Sequence, residues 1–232
     1  MRVIGIETSA ATGSVALVID GDLLDERFFT EGMRHGRELV PTVDAIVAHH
    51  GLQPEDIDLF AVSRGPGSYT GIRVGVTCAK ALAYALGKKV VGVPSLDVLA
   101  ENAPASASTV YPAIDAKRKR VYFCAYRRDS GRLIREADYQ AIAVEEAVAA
   151  VEPGGFVLGD AIGLYGAELA AAGAVLADEE LWLPRASAVA RLGSEKLLSA
   201  GAGDPFGLAP IYLHRPEAEE VWEKKQKMKD RG

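Results

Sequence analysis

The sequence predicts an α/β protein built as two lobes, each a mixed sheet with flanking helices. Three observations carry this. Short apolar runs of strand length alternate with helical stripes along the 232 residues. A meander of three strand-like runs heads each half of the chain. Between the halves, Pro104–Thr109 (PASAST) is small, polar and rich in turn formers. The chain therefore divides into a first lobe (1–104), a second lobe (105–215) and a charged tail (216–232). At ~100–200 residues per domain, this length suits one large domain or two small halves and needs no staples to bury a core.

The elements follow in order. RVIGIE, Arg2 to Glu7, is an apolar run ending in small polar residues and reads as a buried strand. GSVALVID and LLDERFFT are the next two strands, joined by the tight-turn signal Asp20-Gly21-Asp22. Leu39, Val43, Ile46 and Val47, extended by Val40, recur at helical spacing, and Gly51 stops that helix. Pro41 belongs in a first turn, which predicts a start near Arg37 or Glu38. A helical turn and a strand at Leu59–Ser63 come next, then the glycine-rich loop SRGPGS. YTGIRVGVTCAKALAYALG then predicts a helix of about four turns. KKVVGVPS is a strand, and SLDVLAENA opens a further helix with Ser95 as its N-cap.

This β-β-β-α-β-α-β-α order, antiparallel strands first and parallel strands after, resembles the half-unit of the actin-like, sugar-kinase-like (ASKHA) ATPase fold. The second half repeats the logic. VYPAIDAKRKRVYFCAYRRDSGRLIREADYQAI holds three strand-like runs, with turns at Asp115-Ala116-Lys117 and Asp129-Ser130-Gly131. VEEAVAAV, GFVLGD and AIGLYGAELAAAG read as helix, strand and helix. A strand at Ala174–Leu176 and a helix at Ala186–Ala200 complete the lobe.

Bulk properties exclude several classes. With 26 basic against 32 acidic residues, the net charge of −6 disfavours a protein whose whole surface binds nucleic acid. Cys78 and Cys124 form no Cys-x-x-Cys pair and read as buried free thiols, which suits a reducing cytoplasm. The N-terminus lacks the apolar length of a signal peptide, and no run approaches the ~20 residues of a membrane helix. The expectation is a cytoplasmic protein with no membrane partner. The tail reads as an exposed helix or disordered end, with docking through Val221, Trp222 and Met228 as the alternative.

Four patterns could carry chemistry. The first turn, GIETSAATGS, offers Glu7, Ser9, Thr12 and Gly13. Backbone amides and hydroxyls there could hold phosphate, with Glu7 near magnesium through water. Equally, Ser9 and Thr12 could satisfy local backbone groups in a plain strand turn. In the loop before the long helix, Gly65 and Gly67 could present amides to an anion at the helix N-terminus. The loop fails the Walker pattern, and it fails G-x-G-x-x-G because Thr70 stands where the third glycine belongs. Pro66 removes one amide donor. On the helix itself, Gly71, Gly75, Ala79 and Ala83 are spaced by four and make a nearly bare edge. Another helix can approach it closely, from this chain or from a partner. Lys117, Arg118, Lys119, Arg120, Arg127, Arg128, Arg132 and Arg135 crowd one meander. They would track phosphates if they share a face, or guard a solvated hairpin edge. The histidines form no His-Glu-x-x-His, and His49 and His50 suit a helix C-terminus.

Taken together, IGIETSAATGSVAL, HGRELVPTVDAIV, AVSRGPGSYTGIRVGVTCAKALA, GVPSLDVLA and IDAKRKRVYF resemble the TsaB (YeaZ) family. The resemblance is strong to about residue 128 and looser beyond, where PIYLHRPEA resembles the family's closing segment. It implies the actin-like two-lobed fold. It also implies a non-catalytic partner role beside a TsaD-type subunit that forms N6-threonylcarbamoyladenosine at position 37 of tRNAs decoding ANN codons. A TsaE-type ATPase and the tRNA would join through the complex. No cofactor of its own is implied, and ATP or ADP would sit at the complex interface. The TsaD relative carries a His-x-x-x-His metal pair after its glycine-rich helix. The matching positions here hold Ser95 and Leu99, and neither is a good iron or zinc ligand. Carried onto this chain, the docking surface involves Leu39, Val43 and Ile46 with the row Gly71, Gly75, Ala79 and Ala83, and a homodimer in isolation could use it too. Two other readings stand beside this one. One is a free-standing actin-like ATPase or small-molecule kinase. The other is a direct tRNA binder through Lys117 to Arg135.

Overall fold

The computed structural model describes residues 1–30, 35–201 and 205–213. The expected tail, 216–232, and His214 lie outside the described residues. The first lobe is a five-stranded sheet of β1 (Arg2–Glu7), β2 (Ser14–Ile19), β3 (Asp22–Phe28), β4 (Leu59–Ser63) and β5 (Lys89–Val93), in the order β3-β2-β1-β4-β5. β1, β2 and β3 pair antiparallel, while β4 lies parallel to β1 and β5 parallel to β4. The Asp20-Gly21 turn has φ of 52° and 97°, the left-handed pair that a tight hairpin demands.

The second lobe holds β6 (Thr109–Asp115), β7 (Arg120–Phe123), β8 (Tyr126–Asp129), β9 (Arg132–Arg135), β10 (Gln140–Ala143), β11 (Phe156–Leu158) and β12 (Val175–Leu176). Its order is β10-β7-β6-β11-β12, with β8 also on β6 and β9 on β8. The meander expected as three runs is five strands. The chain leaves the sheet at Cys124–Ala125, so one run becomes β7 and β8, which pair with different stretches of β6. The first turn is wider than expected: Lys117, Arg118 and Lys119 all have positive φ, and the Arg120 N–H closes onto the Lys117 carbonyl.

On one face of the first sheet lie α1 (His35–His49) and α2 (Tyr69–Leu86), packed against each other. α1 begins two residues earlier than Arg37, so Pro41 sits in the second turn. α2 runs 18 residues, about five turns, longer than expected. Its start is capped by the Ser68 hydroxyl, which accepts from the Gly71 N–H, and its end by Gly87 at φ 64° with Lys88 N–H on the Ala83 carbonyl. The other face is covered by α6 (Ala186–Ala200), whose Val189, Ala190 and Leu197 pack with Val3, Leu59, Ala61 and Val93. The division at residue 105 is corrected here, because α6 crosses back to the first lobe. α3 (Ser95–Ala100) turns Leu96 and Leu99 into the second lobe's core and Val98 into the first's. α4 (Val144–Ala150) and α5 (Ile162–Ala171) flank the second sheet.

The small row of α2 faces inward. Gly71, Gly75, Ala79 and Ala83 are all buried. A Cβ on Gly71 would overlap the Thr8 carbonyl oxygen, and one on Gly75 the Thr8 hydroxyl. Leu39, Val43 and Ile46 are likewise in the core. The expected docking surface is therefore corrected. The same two helices remain, but their named residues serve the chain's own packing, because the close neighbour of the bare edge is the end of β1. Gly71→Ala should improve helix propensity by ~1 kcal/mol yet destabilise the protein by about 1–3 kcal/mol net, since backbone must move. Urea unfolding measures this, and an unchanged midpoint would refute the close packing.

Candidate functional site

The C-terminal ends of the parallel strands meet where an actin-like protein would hold phosphate. β1 ends in Glu7, β4 in Ser63, and α3 starts at Ser95, all of them fully buried. Glu7 Oε1 accepts from the Ser9 N–H at 2.5 Å and the Ser9 hydroxyl at 2.6 Å. Ser63 Oγ lies 3.3 Å from Ser95 Oγ, which accepts from the Gly65 N–H at 3.0 Å. The Gly65 carbonyl accepts from the Ser95 N–H at 2.9 Å. Ser95, expected as the cap of α3, is its first residue and ties the glycine loop down instead, with Pro94 in the cap position.

The loop is packed onto the first turn. The Ser68 N–H donates to the Ser9 carbonyl at 2.7 Å, and a Cβ on Gly67 (φ 150°) would overlap that same carbonyl. Gly65 (φ 99°) is covered from the other side by the Ile211 carbonyl. Three amide donors of the loop and helix start are committed: Ser68 to Ser9, Gly65 to Ser95, and Gly71 to Ser68. Of the expected nucleotide residues, the fold brings Glu7, Ser9, Gly65 and Gly67 together, but as one packed unit. Thr12 lies half-buried on the hairpin tip, and the Gly13 carbonyl is taken by the Phe29 N–H at 2.8 Å. The Ser14 hydroxyl accepts from the Ala186 N–H at 3.0 Å, locking α6 to the same turn.

Glu7 carries the main electrostatic cost. Its Oε2 and the Thr8 hydroxyl are buried without hydrogen-bond partners. Burial raises the Glu7 pKa above its ordinary 4.5, against the lowering effect of the bonds from Ser9. In the second lobe, Asp160 at the start of α5 accepts from the Asp115 N–H at 2.8 Å, and its own pKa is raised by burial and by the Asp115 charge. Sequence reasoning missed Asp160, whose only signal was the GD ending of a predicted strand.

Lys117, Arg120, Arg127, Arg128 and Arg135 of the basic cluster have partners within the chain. Arg127 pairs with Glu136 at 2.6 Å and Glu152 at 3.5 Å. Arg128 donates to the carbonyls of Ala103, Pro104, Ala107 and Gly131, and Lys117 pairs with Asp115 at 2.6 Å. Arg120 donates to the Ala141 carbonyl, and Arg135 stacks over the Tyr139 ring at 4.4 Å. Cys78 is half-buried and Cys124 buried; both are free, and burial pushes each thiol up to about 11. No helix among the described residues is long and apolar enough to cross a membrane.

Fold and site together define an actin-like, two-lobed protein whose glycine-rich loop is packed against its own first turn. The family model described as "TsaD: tRNA N6-adenosine threonylcarbamoyltransferase" matches residues 31–173. A Bacillus subtilis (strain 168) protein named "tRNA threonylcarbamoyladenosine biosynthesis protein TsaB" is 30% identical over 233 residues, spanning 98% of this chain and all of that one. Its namesake from Escherichia coli (strain K12) is 33% identical over 150 residues, 64% of each chain. The structure called "YeaZ from Pseudomonas aeruginosa" superposes with a TM-score of 0.80 at 26% identity, covering 91% of this chain and 99% of that one. The chain belongs to the TsaB (YeaZ) family.

The buried Glu7 sets a pH signature. A folded-state pKa raised above 4.5 means that its contribution to stability is fully present below about pH 4.5 and is lost as pH rises through the raised value. Glu7→Gln keeps an acceptor for Ser9 and has no charge to bury. Its stability relative to the parent should therefore increase as pH is raised from 4 to 8, by ~1.4 kcal/mol for every tenfold weakening of the carboxyl's acidity that burial causes. Thermal melts across that range test it, and parallel pH profiles would show that Glu7 is not held neutral.

Proposed function

We propose that this chain is the TsaB-type subunit of the machinery forming N6-threonylcarbamoyladenosine at position 37 of tRNAs that decode ANN codons. In this reading it supports a TsaD-type transferase and does not carry out the transfer. One observation carries the non-catalytic reading. The two positions that match the relative's metal-binding histidines are Ser95 and Leu99. Ser95 spends its hydroxyl on the loop, and Leu99 is buried in the second lobe's core. Both positions serve structure, and the phosphate loop is occupied by Ser9 and Thr8. A free-standing ATPase or kinase is the weaker reading, because Gly65, Ser68 and Gly71 of the loop spend their amides within the chain.

Docking belongs to the outward faces of α1 and α2. Val40 is 54% exposed, and Ala45, Ala48, Thr77, Ala81 and Ala85 lie beside it at the surface. Small and apolar side chains there let partner helices come close, and their low charge suits the core of an interface. The same face would serve a homodimer when the partner is absent. A TsaE-type ATPase, the tRNA, and ATP or ADP are assigned to the assembled complex, with nucleotide at the interface.

Ala81→Arg and Ala45→Arg should each weaken binding to the cell's TsaD-type subunit by about tenfold or more, while leaving the unfolding midpoint unchanged. Calorimetry with the purified pair, and nucleoside analysis of tRNA modified by the reconstituted set, read this out. Binding undiminished in both variants would remove these helix faces from the interface. Rapid ATP turnover by this chain alone would overturn the partner reading.

A further inference from the structure

A groove on the far side of the glycine loop is lined by three cations that form no ion pair among the described residues. It has a volume of about 510 Å³ and opens where the end of β5 meets α3, α6 and the residues after β9. Arg64 enters it directly after β4, Arg135 from the end of β9, and Lys196 from α6. Arg64 is held at its backbone, donating its N–H to the Val93 carbonyl at 2.8 Å and accepting from the Ile211 N–H at 2.7 Å. Its Nε is nonetheless buried without a hydrogen-bond partner. Lys196 Nζ donates to the Gly92 carbonyl at 3.0 Å. Burial, and then the neighbouring Arg64 charge, lower the Lys196 pKa, while Asp97 acts in the opposite sense.

Two carboxylates also line the groove, and both have other partners. One oxygen of Asp97 accepts from the Tyr126 and Tyr139 hydroxyls at 2.6 and 2.7 Å. Glu195 pairs with Arg191 at 3.4 Å. Arg135 is backed by the Tyr139 ring, which fixes the plane of its guanidinium.

We propose that this groove binds the terminal phosphate of a small phosphorylated molecule through Arg64, Arg135 and Lys196, with Asp97 accepting from a hydroxyl or amine of the same ligand. Guanidinium groups match phosphate oxygens in fork geometry. Three cations around one hollow suit a multiply charged terminal group. A nucleic-acid backbone carries one charge per phosphate and is tracked by cations strung along a surface. In this lobe Arg127 and Arg128 are bound to the lobe's own carboxylates and carbonyls. This site is separate from the closed loop and does not depend on the partner reading.

The test uses the full chain alone, titrated calorimetrically with pyrophosphate and, in a second arm, with ADP at low and high salt. Saturable binding that weakens with salt is expected. Arg135→Gln and Lys196→Gln should each reduce it about tenfold or more without moving the unfolding midpoint, and Arg64→Gln should do the same if it folds. ADP displacing pyrophosphate competitively would extend the site to nucleotides. Pyrophosphate bound while ADP is not would identify a free oligophosphate site, and both outcomes support the proposal. It is overturned if neither ligand binds saturably. It is also overturned if binding is undiminished in both the Arg135 and Lys196 variants, or if a short single-stranded RNA competes more strongly than pyrophosphate.

Discussion

The contact on which the rest of the structure depends is the bare edge of α2 pressed against the backbone of Thr8 and Ser9. A helix can come this close to the end of a strand only where Cβ atoms are missing, and Gly71 and Gly75 supply that absence. Each glycine weakens the helix by ~1 kcal/mol against alanine, so the contact must return more than that in burial and hydrogen bonds. It does so through the Ser68–Ser9 bond, the Ser9–Glu7 bonds and the burial of Ile72, Val76 and Ala79 on the sheet. The same contact decides the chemistry. The loop spends its Gly65, Ser68 and Gly71 amides on Ser95, Ser9 and Ser68, so a motif with the look of an anion cradle also serves as a joint.

Most of the fold was legible in the sequence because its signals are local. Asp20-Gly21 announces its hairpin by composition, and the apolar stripe of α1 appears at a period that no strand would show. The errors arose where the deciding information is three-dimensional. A row of small residues every four positions identifies a face that something approaches, but periodicity has no sign: it cannot tell a core-facing edge from an exposed one. The Thr8 carbonyl, more than sixty residues away in sequence from Gly71, settles that sign. The break at Cys124 was hidden for a related reason. β7 and β8 pair with different stretches of β6, and a run that changes partners keeps its apolar composition while losing its straight path. Arg64 escaped notice as a site residue because its sequence neighbours drew attention to glycine and phosphate geometry rather than to its own charge.

Ser95 ties the two lobes and the glycine loop together. In this chain it stands at the first turn of α3, where the two lobes share a short helix: Leu96 and Leu99 enter one core and Val98 the other. A hydroxyl there bridges Ser63 and the loop amide of Gly65, which fixes the end of β4 relative to α3. Ser63 and Ser95 are fully buried, and their hydroxyls interlock loop, strand and helix.

That interlock also separates the molecule's two outward surfaces. On one side, α1 and α2 expose Val40, Ala45, Ala48, Thr77, Ala81 and Ala85 together with the charged Asp44 and Arg73, and residues 205–213 run beside α2 with Tyr212 against Tyr69, Phe206 against Tyr84, and Lys80 bonded to the Leu208 carbonyl. On the other side of Arg64, the groove gathers cations. Residue 64 is the pivot between them, because its backbone joins β5 through Val93 and the C-terminal segment through Ile211, while its side chain points to the charged hollow. Movement of the C-terminal segment on the helical side would therefore be felt directly at the Arg64 backbone.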